Sequence, residues 1–398
     1  MLNLKSIKKL YVISLSFILF PLLAHGDVKV AILAGFTGPV ESLAPDIASS
    51  AELAFKEISD SGLLLNGEKI KTFRGDSTCV DAAAAVTVAE RYVTAEKVVA
   101  IMGPMCSGAT GAVVKSVGVP NGIPIISPSA TSPGLSTIAD NGYFFRTAPS
   151  DARGGEVLAQ VAVEKGIKNV AITYTNNDYG KGLSDVFSGA FQGLGGKITA
   201  VVPHEDNKGD YSAEVASLDS AGGEALVVVG YLDKGGRAMI QESLDKGAFD
   251  KFILTDGMYG DSLIENVDGN LDGSFGAMAG SDSEGAAIFK NMAKNNNIKP
   301  GGGYTGEGYD AAALIALAIQ SAGSTDGAAI ASNVLAVANA PGEKIMPGEL
   351  AKGLRILANG GAIDYVGATN VELVGGGESA GSFKEFEIKN KKFIDLYR

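Results

Sequence analysis

Nearly continuous apolar runs recur along the chain at residues 28–34, 98–102, 123–126, 169–174, 225–229 and 252–255. Runs with both faces apolar predict buried parallel strands. Residues 70–74, 143–147 and 198–202 predict further short strands, and segments with apolar residues at helical spacing alternate with them: 44–60, 81–94, 107–117, 150–165, 180–193, 211–221 and 234–246. Strand–helix alternation predicts an α/β fold of mostly parallel sheets covered by helices, and its restart at residue 169 predicts a second lobe. Helices at 284–295, 307–322, 328–338 and 348–358 lack intervening strands and are expected to pack back on the first lobe. The tail, 361–398, reads as β-like, with a hairpin of 383–388 and 393–397 around Lys389-Asn390-Lys391-Lys392.

Residues 98–134 carry the most polar strand ends. Two apolar runs there end in small hydroxyl residues, Cys106-Ser107-Gly108-Ala109-Thr110 and Ser127-Pro128-Ser129-Ala130-Thr131. Ser107 stands where a strand hands over to a helix, a position from which serine caps the helix beside outward-pointing N–H groups. Such a place suits a carboxylate or phosphate. Ordinary capping and turn chemistry explains the same residues. Ligands of open α/β sheets sit outside the C-terminal ends of strands. Tyr179, Tyr231 and Tyr259 stand at such ends in the second half, and Asp256 directly follows an apolar strand. A carboxylate in one lobe facing hydroxyls and N–H groups in the other fits an α-amino acid; the alternative for Asp256 is a turn-forming aspartate before Gly257.

At 398 residues the chain is long for one core, and its net charge of −12 argues against nucleic acid and anionic lipid as partners. Residues 1–26 read as a signal peptide: Lys5, Lys8 and Lys9, an apolar run, then Ala24-His25-Gly26. Cleavage after Gly26 would take the net charge from −12 to −15 and leave no segment expected to insert in a membrane. Cys79 and Cys106 are the two cysteines; in an exported protein they form either one disulfide or two buried thiols. His204, the histidine left after cleavage, reads as a solvated residue at a strand end. No phosphate-binding glycine motif and no zinc-spaced histidine pair occurs, which weakens an enzyme reading and implies no cofactor and no metal.

The chain resembles the periplasmic leucine/isoleucine/valine-binding proteins of ABC importers, with the two-lobed type I periplasmic-binding-protein fold. The likeness rests on Val28-Lys29-Val30-Ala31 with Gly38-Pro39-Val40, Asp76-Ser77-Thr78-Cys79, Gly103-Pro104-Met105-Cys106-Ser107, Ser127-Pro128-Ser129-Ala130-Thr131, Asn177-Asp178-Tyr179-Gly180-Lys181-Gly182 and Gly230-Tyr231. It implies a Cys79–Cys106 disulfide and three crossovers, near residues 146–149, 273–280 and 362–367. The lobes are then 27–147 plus 280–362 and 148–279 plus 363–398, closing like a hinged clamp. By the same resemblance Ser107 takes the ligand carboxylate, Thr131 binds the carboxylate and helps hold the ammonium, and Ser129 offers the ammonium its carbonyl. Tyr179 and Tyr231 close over the ligand, Asp256 pairs the ammonium, and Leu43 and Tyr304 border the side-chain pocket. Asp256 stands where the leucine-binding members carry glutamate, and Leu43 where an aromatic is expected.

These readings together predict a periplasmic, monomeric, non-enzymatic binding protein that hands an aliphatic, branched-chain L-amino acid to a membrane permease. A broader amino-acid range, an amide, a urea-like compound or an aromatic acid in the same fold is the alternative. A hydrolase working with carboxylates is the rival from another class.

Overall fold

The computed structural model describes residues 26–397; the signal peptide read at 1–26 lies outside the described residues except for Gly26. Strands β1 (Val28–Ala34), β2 (Ile70–Asp76), β3 (Ala100–Met102), β4 (Ile125–Ser127) and β5 (Phe144–Pro149) belong to a first sheet. Strands β6 (Asn169–Thr175), β7 (Lys197–His204), β8 (Ala225–Val229), β9 (Phe252–Leu254) and β10 (Phe275–Ala279) belong to a second. The remaining strands are β11 (Glu343–Ile345), β12 (Ile363–Tyr365), β13 (Leu373–Val374), β14 (Glu378–Ser379), β15 (Phe383–Ile388) and β16 (Phe393–Tyr397).

The first sheet runs β13-β14-β5-β4-β3-β1-β2 and the second β16-β15-β10-β9-β8-β6-β7. β1 to β5 pair in parallel, as do β6 to β10, and the central strands β3, β4, β8 and β9 are buried at every position. Their continuous apolar runs follow from helices covering both faces of each sheet. The antiparallel hairpin of β15 and β16 ends the second sheet.

The helix Thr305–Ala322 is buried almost all round. It packs against the helices Ala44–Ser61, Gly327–Ala338 and Leu350–Ala358 and against β3 to β5, so the strandless helices of the second half return to the first lobe. An apolar surface on every face suits a helix enclosed by other elements, and among the described residues no single helix is long and apolar enough to cross a membrane.

One boundary differs from the sequence reading. The reading moved the chain to the second lobe at residue 363, yet β13 and β14 extend the first sheet beside β5. The third crossover therefore falls between Ser379 and Phe383, not at 362–367. Glu378 is held there by Arg146 Nη2 at 2.7 Å, and the Arg146 N–H donates to Gly377 O at 3.0 Å. Two-residue strands around a Gly375-Gly376-Gly377 turn carry no periodic signal of their own.

Candidate ligand-binding cleft

The Cys79–Cys106 disulfide, with Cα atoms 5.2 Å apart, ties the loop after β2 to the loop after β3. Cys106 is the N-cap of the helix Ser107–Val113, so Ser107 does not cap it; it is the first helical residue. Its hydroxyl oxygen instead accepts the Ser132 N–H at 3.1 Å, which leaves its proton available to a ligand. Ser129 Oγ donates to Met105 O at 3.0 Å and Ser127 Oγ to Pro104 O at 2.6 Å, so these hydroxyls fasten the two loops together.

Thr131, next in that loop, is buried, and its Oγ1 has no hydrogen-bond partner among the described residues. Its carbonyl accepts the Asp151 N–H at 2.9 Å. Asp151 is the first residue of the helix Asp151–Glu164, which Ser150 caps through the Ala152 N–H. The Asp151 side chain turns into a small cavity lined also by Thr131, Asp256, Tyr304, Leu158 and Phe383, and its Oδ2 likewise lacks a partner among the described residues. Arg146, fully buried, holds this loop in shape: Nη1 donates to Ala130 O and Ser132 O, each at 3.0 Å, and Nη2 to Ser136 Oγ at 2.8 Å.

The opposing wall comes from the second lobe. Asp256 stands at the start of the turn after β9, buried, with both carboxylate oxygens engaged. Tyr179 OH donates to Oδ1 at 2.7 Å, and Tyr304 OH, from the first lobe, donates to Oδ2 at 2.7 Å. Tyr179 also meets Thr255 Oγ1 at 2.9 Å and stacks on Tyr231 with ring centroids 5.1 Å apart. Burial pushes the Asp256 carboxyl above its ordinary range, against the tyrosine hydrogen bonds. Burial, then the facing Asp256, pushes Asp151 well above it, against the Arg146 charge. Two close buried carboxylates resist ionising together unless a cation joins them.

The cleft is shut across both rims. Ser132 Oγ donates to Asp178 O at 3.0 Å, and a Cβ at Gly182 would come within 3.0 Å of Pro133 Cδ, so glycine permits that approach. Thr131, Asp151, Asp256 and Tyr304 thus meet around one small cavity; Ser107, Ser129, Tyr179 and Tyr231 do not line it, Tyr179 reaching it through its hydrogen bond to Asp256 and Ser107 opening on a groove with Ser132 and Lys181. Leu43 does not line the cavity beside Asp256; from the first lobe it packs on the second-lobe cluster that contains Leu232, facing Gly260. Among the described residues no group of three or more His, Cys, Asp or Glu side chains converges as a metal site. His204 is not solvated: it is buried at the end of β7 with Nδ1 2.8 Å from Thr173 Oγ1, and burial lowers its pKa to about 4.

Comparison with known proteins bears on the family and the fold. Residues 27–349 match the family model described as periplasmic binding protein. The chain belongs to the periplasmic binding protein family. A relative in Brucella melitensis named Leu/Ile/Val-binding protein homolog 1 is 31% identical over 76% of this chain and 81% of its own. The leucine-binding protein LivK of Thermotoga maritima shares the fold with a TM-score of 0.79 at 22% identity, covering 93% of this chain and 97% of that one. LivJ of Streptococcus pneumoniae, solved with isoleucine, has a TM-score of 0.75 at 21% identity, covering 94% and 99%. The fold of this periplasmic binding protein is the two-lobed type I arrangement.

Sequence reasoning missed Asp151, Arg146 and Ser132 as parts of the cleft. Ala148-Pro149-Ser150-Asp151 reads as a helix start, and it is one; nothing local distinguishes an aspartate that caps from one that turns inward.

Proposed function

We propose that this protein captures the zwitterion of an aliphatic, branched-chain L-amino acid in the periplasm and delivers it, chemically unchanged, to the permease of an ABC importer. The observation that carries the reading is that Thr131 and Tyr304 of the first lobe meet Asp256 and Asp151 of the second around one cavity. Ser107 and Thr131, each with a hydroxyl proton to give, serve the ligand carboxylate. Asp256, with Asp151 behind it, serves the ammonium, joined by the Ser129 carbonyl. Tyr179 and Tyr304 fix Asp256 through their hydroxyls, and Tyr231, stacked on Tyr179, helps cover the ligand. A buried zwitterion whose two poles are fully hydrogen-bonded avoids the cost of an unpaired charge. The Leu/Ile/Val-binding relative and the isoleucine-bound LivJ fold support the aliphatic class.

Removal of the signal peptide after Gly26 and action as a monomer complete the reading. A thermal-shift and calorimetric screen of the ligand-free chain against the twenty L-amino acids, amides and aromatic acids tests it. Ligand at about 100 times its dissociation constant adds roughly 2.7 kcal/mol. Responses to leucine, isoleucine or valine support the proposal; a response confined to amides or aromatic acids overturns it, and ligand recovered altered points to catalysis.

A further inference from the structure

The rim of the cleft opposite Ser132 carries a polar contact whose chemistry faces the other lobe rather than the ligand. Asp233 follows Tyr231 and Leu232 after β8 and is 8% exposed. Its N–H donates to Pro39 O at 3.1 Å, and its Oδ2 accepts the Ser42 N–H at 2.9 Å. Pro39 and Ser42 lie in the turn between β1 and the helix Ala44–Ser61, in the first lobe.

Both halves of this contact are built in advance. On the first lobe, Thr37 binds the Asp76 carboxylate through its N–H at 3.2 Å and its hydroxyl at 2.5 Å, while Glu41 accepts the Gly38 N–H at 3.1 Å. Gly38 has φ +105°, and a Cβ there would stand 2.4 Å from Thr78 O, so the turn has this shape because glycine occupies that place. On the second lobe, Ser262 Oγ donates to Asp233 Oδ1 at 2.5 Å and Arg237 to Asp233 O at 3.3 Å. The first lobe's hydrogen-bonding atoms here are backbone, so the Asp233 carboxylate carries the side-chain part of the polar clasp. Leu43, next to Ser42, seats against the second lobe beside it.

We infer that Asp233 is a positioning residue that holds the lobes shut independently of the ligand and so sets how long a bound ligand is retained. It acts through the 39–43 turn, and it lies outside the set of residues assigned to the ligand poles. Each charge-assisted hydrogen bond to a closed lobe favours the closed state, and ligand leaves through the open one. Loss of the clasp therefore raises the dissociation rate and leaves the association rate unchanged or faster. The inference rests on the amino-acid-binding reading for its kinetic arm alone.

The test compares wild type, Asp233→Ala and Asp233→Asn as full mature chains. Rapid-mixing tyrosine fluorescence with L-leucine, L-isoleucine and L-valine reads both rate constants. Asp233→Ala should dissociate about 10-fold to 100-fold faster, and Asp233→Asn, which keeps one acceptor for the Ser42 N–H, should recover part of the difference. Small-angle scattering of the ligand-free proteins should show Asp233→Ala more extended than wild type, with the two alike at saturating ligand. A purely structural role would lower the melting temperature without separating the two rate constants. Equal dissociation rates in all three proteins overturn the inference. If wild type binds none of these amino acids, the binding reading fails, and the scattering comparison still decides the clasp: equal dimensions of the free proteins overturn it. Should Asp233→Ala not fold, Asp233→Asn carries both readouts against wild type.

Discussion

The Tyr304 hydroxyl donates to Asp256 Oδ2 at 2.7 Å, and it does so from one lobe to the other. Tyr304 begins the long buried helix of the first lobe, and Asp256 opens the turn after β9 in the second. The carboxylate assigned to the ammonium is thus also a point at which closure is sensed. Asp256→Asn should weaken binding of the cognate amino acid by about 3 kcal/mol or more, since it breaks a buried charge pair at one partner. Tyr304→Phe should cost about 1–2 kcal/mol through the lost hydrogen bond to a charged group. Titration calorimetry checks both, and Asp256→Asn binding within threefold of wild type would count against the assignment.

Glu307 gives a pH dependence of stability. It is buried in the first turn of the helix Thr305–Ala322, and burial pushes its carboxyl from the ordinary 4.5 up to about 7. The folded state holds this proton more tightly than the unfolded chain. Its stabilising contribution is therefore fully present below about pH 4.5 and is lost as pH rises through about 7. Glu307→Gln removes the burial of charge, so it should be more stable than wild type at pH 8 by about 1–3 kcal/mol and nearly equal at pH 4.5. Urea unfolding of both proteins across that range isolates Glu307 from Asp206 and His204, which both retain. A constant difference at every pH would refute it.

Arg146 supports the loop that presents Thr131. Arg146→Ala leaves the Ala130 and Ser132 carbonyls and Glu378 without their donor, and should destabilise the protein by about 3 kcal/mol. Arg146→Lys keeps the charge without the planar fork and should fall between. Ligand affinity should drop along the same order, because the carbonyls on either side of Thr131 are the ones released. Denaturation midpoints and calorimetry on the three proteins read the order, and unchanged affinity in a folded Arg146→Ala would contradict it.

The disulfide joins residues 27 positions apart. Loop closure of that length is worth about 3.5 kcal/mol in the chain-entropy account. The double variant Cys79→Ser with Cys106→Ser should lose about that much in urea unfolding. Cys106 also fixes the start of the helix that carries Ser107, so the variant should bind ligand more weakly while folded. A variant as stable as wild type would show that the cross-link does not limit the unfolded chain.

Much of this was legible in order along the chain. The runs at β1, β6 and β8 announce buried parallel strands because both faces are apolar, and the Ser150 cap and the β15–β16 hairpin follow from local turn and capping chemistry. The two cysteines and the strand-end residues Ser107, Thr131, Tyr179 and Asp256 could be singled out for the same reason: a polar residue directly after an apolar strand is visible within a few positions.

Local patterning along the chain sets the succession of strands and helices, the two βα units and the chemical types gathered at their ends. Tertiary structure alone decided which of those residues meet. That Asp151 faces Asp256, that Leu43 seats on the second lobe, that His204 is enclosed and that β13 and β14 return to the first sheet are all outcomes of packing between distant segments. Local periodicity records which face of an element is apolar. It does not record which distant element will cover that face, and burial, charge proximity and closure of the cleft all depend on that partner.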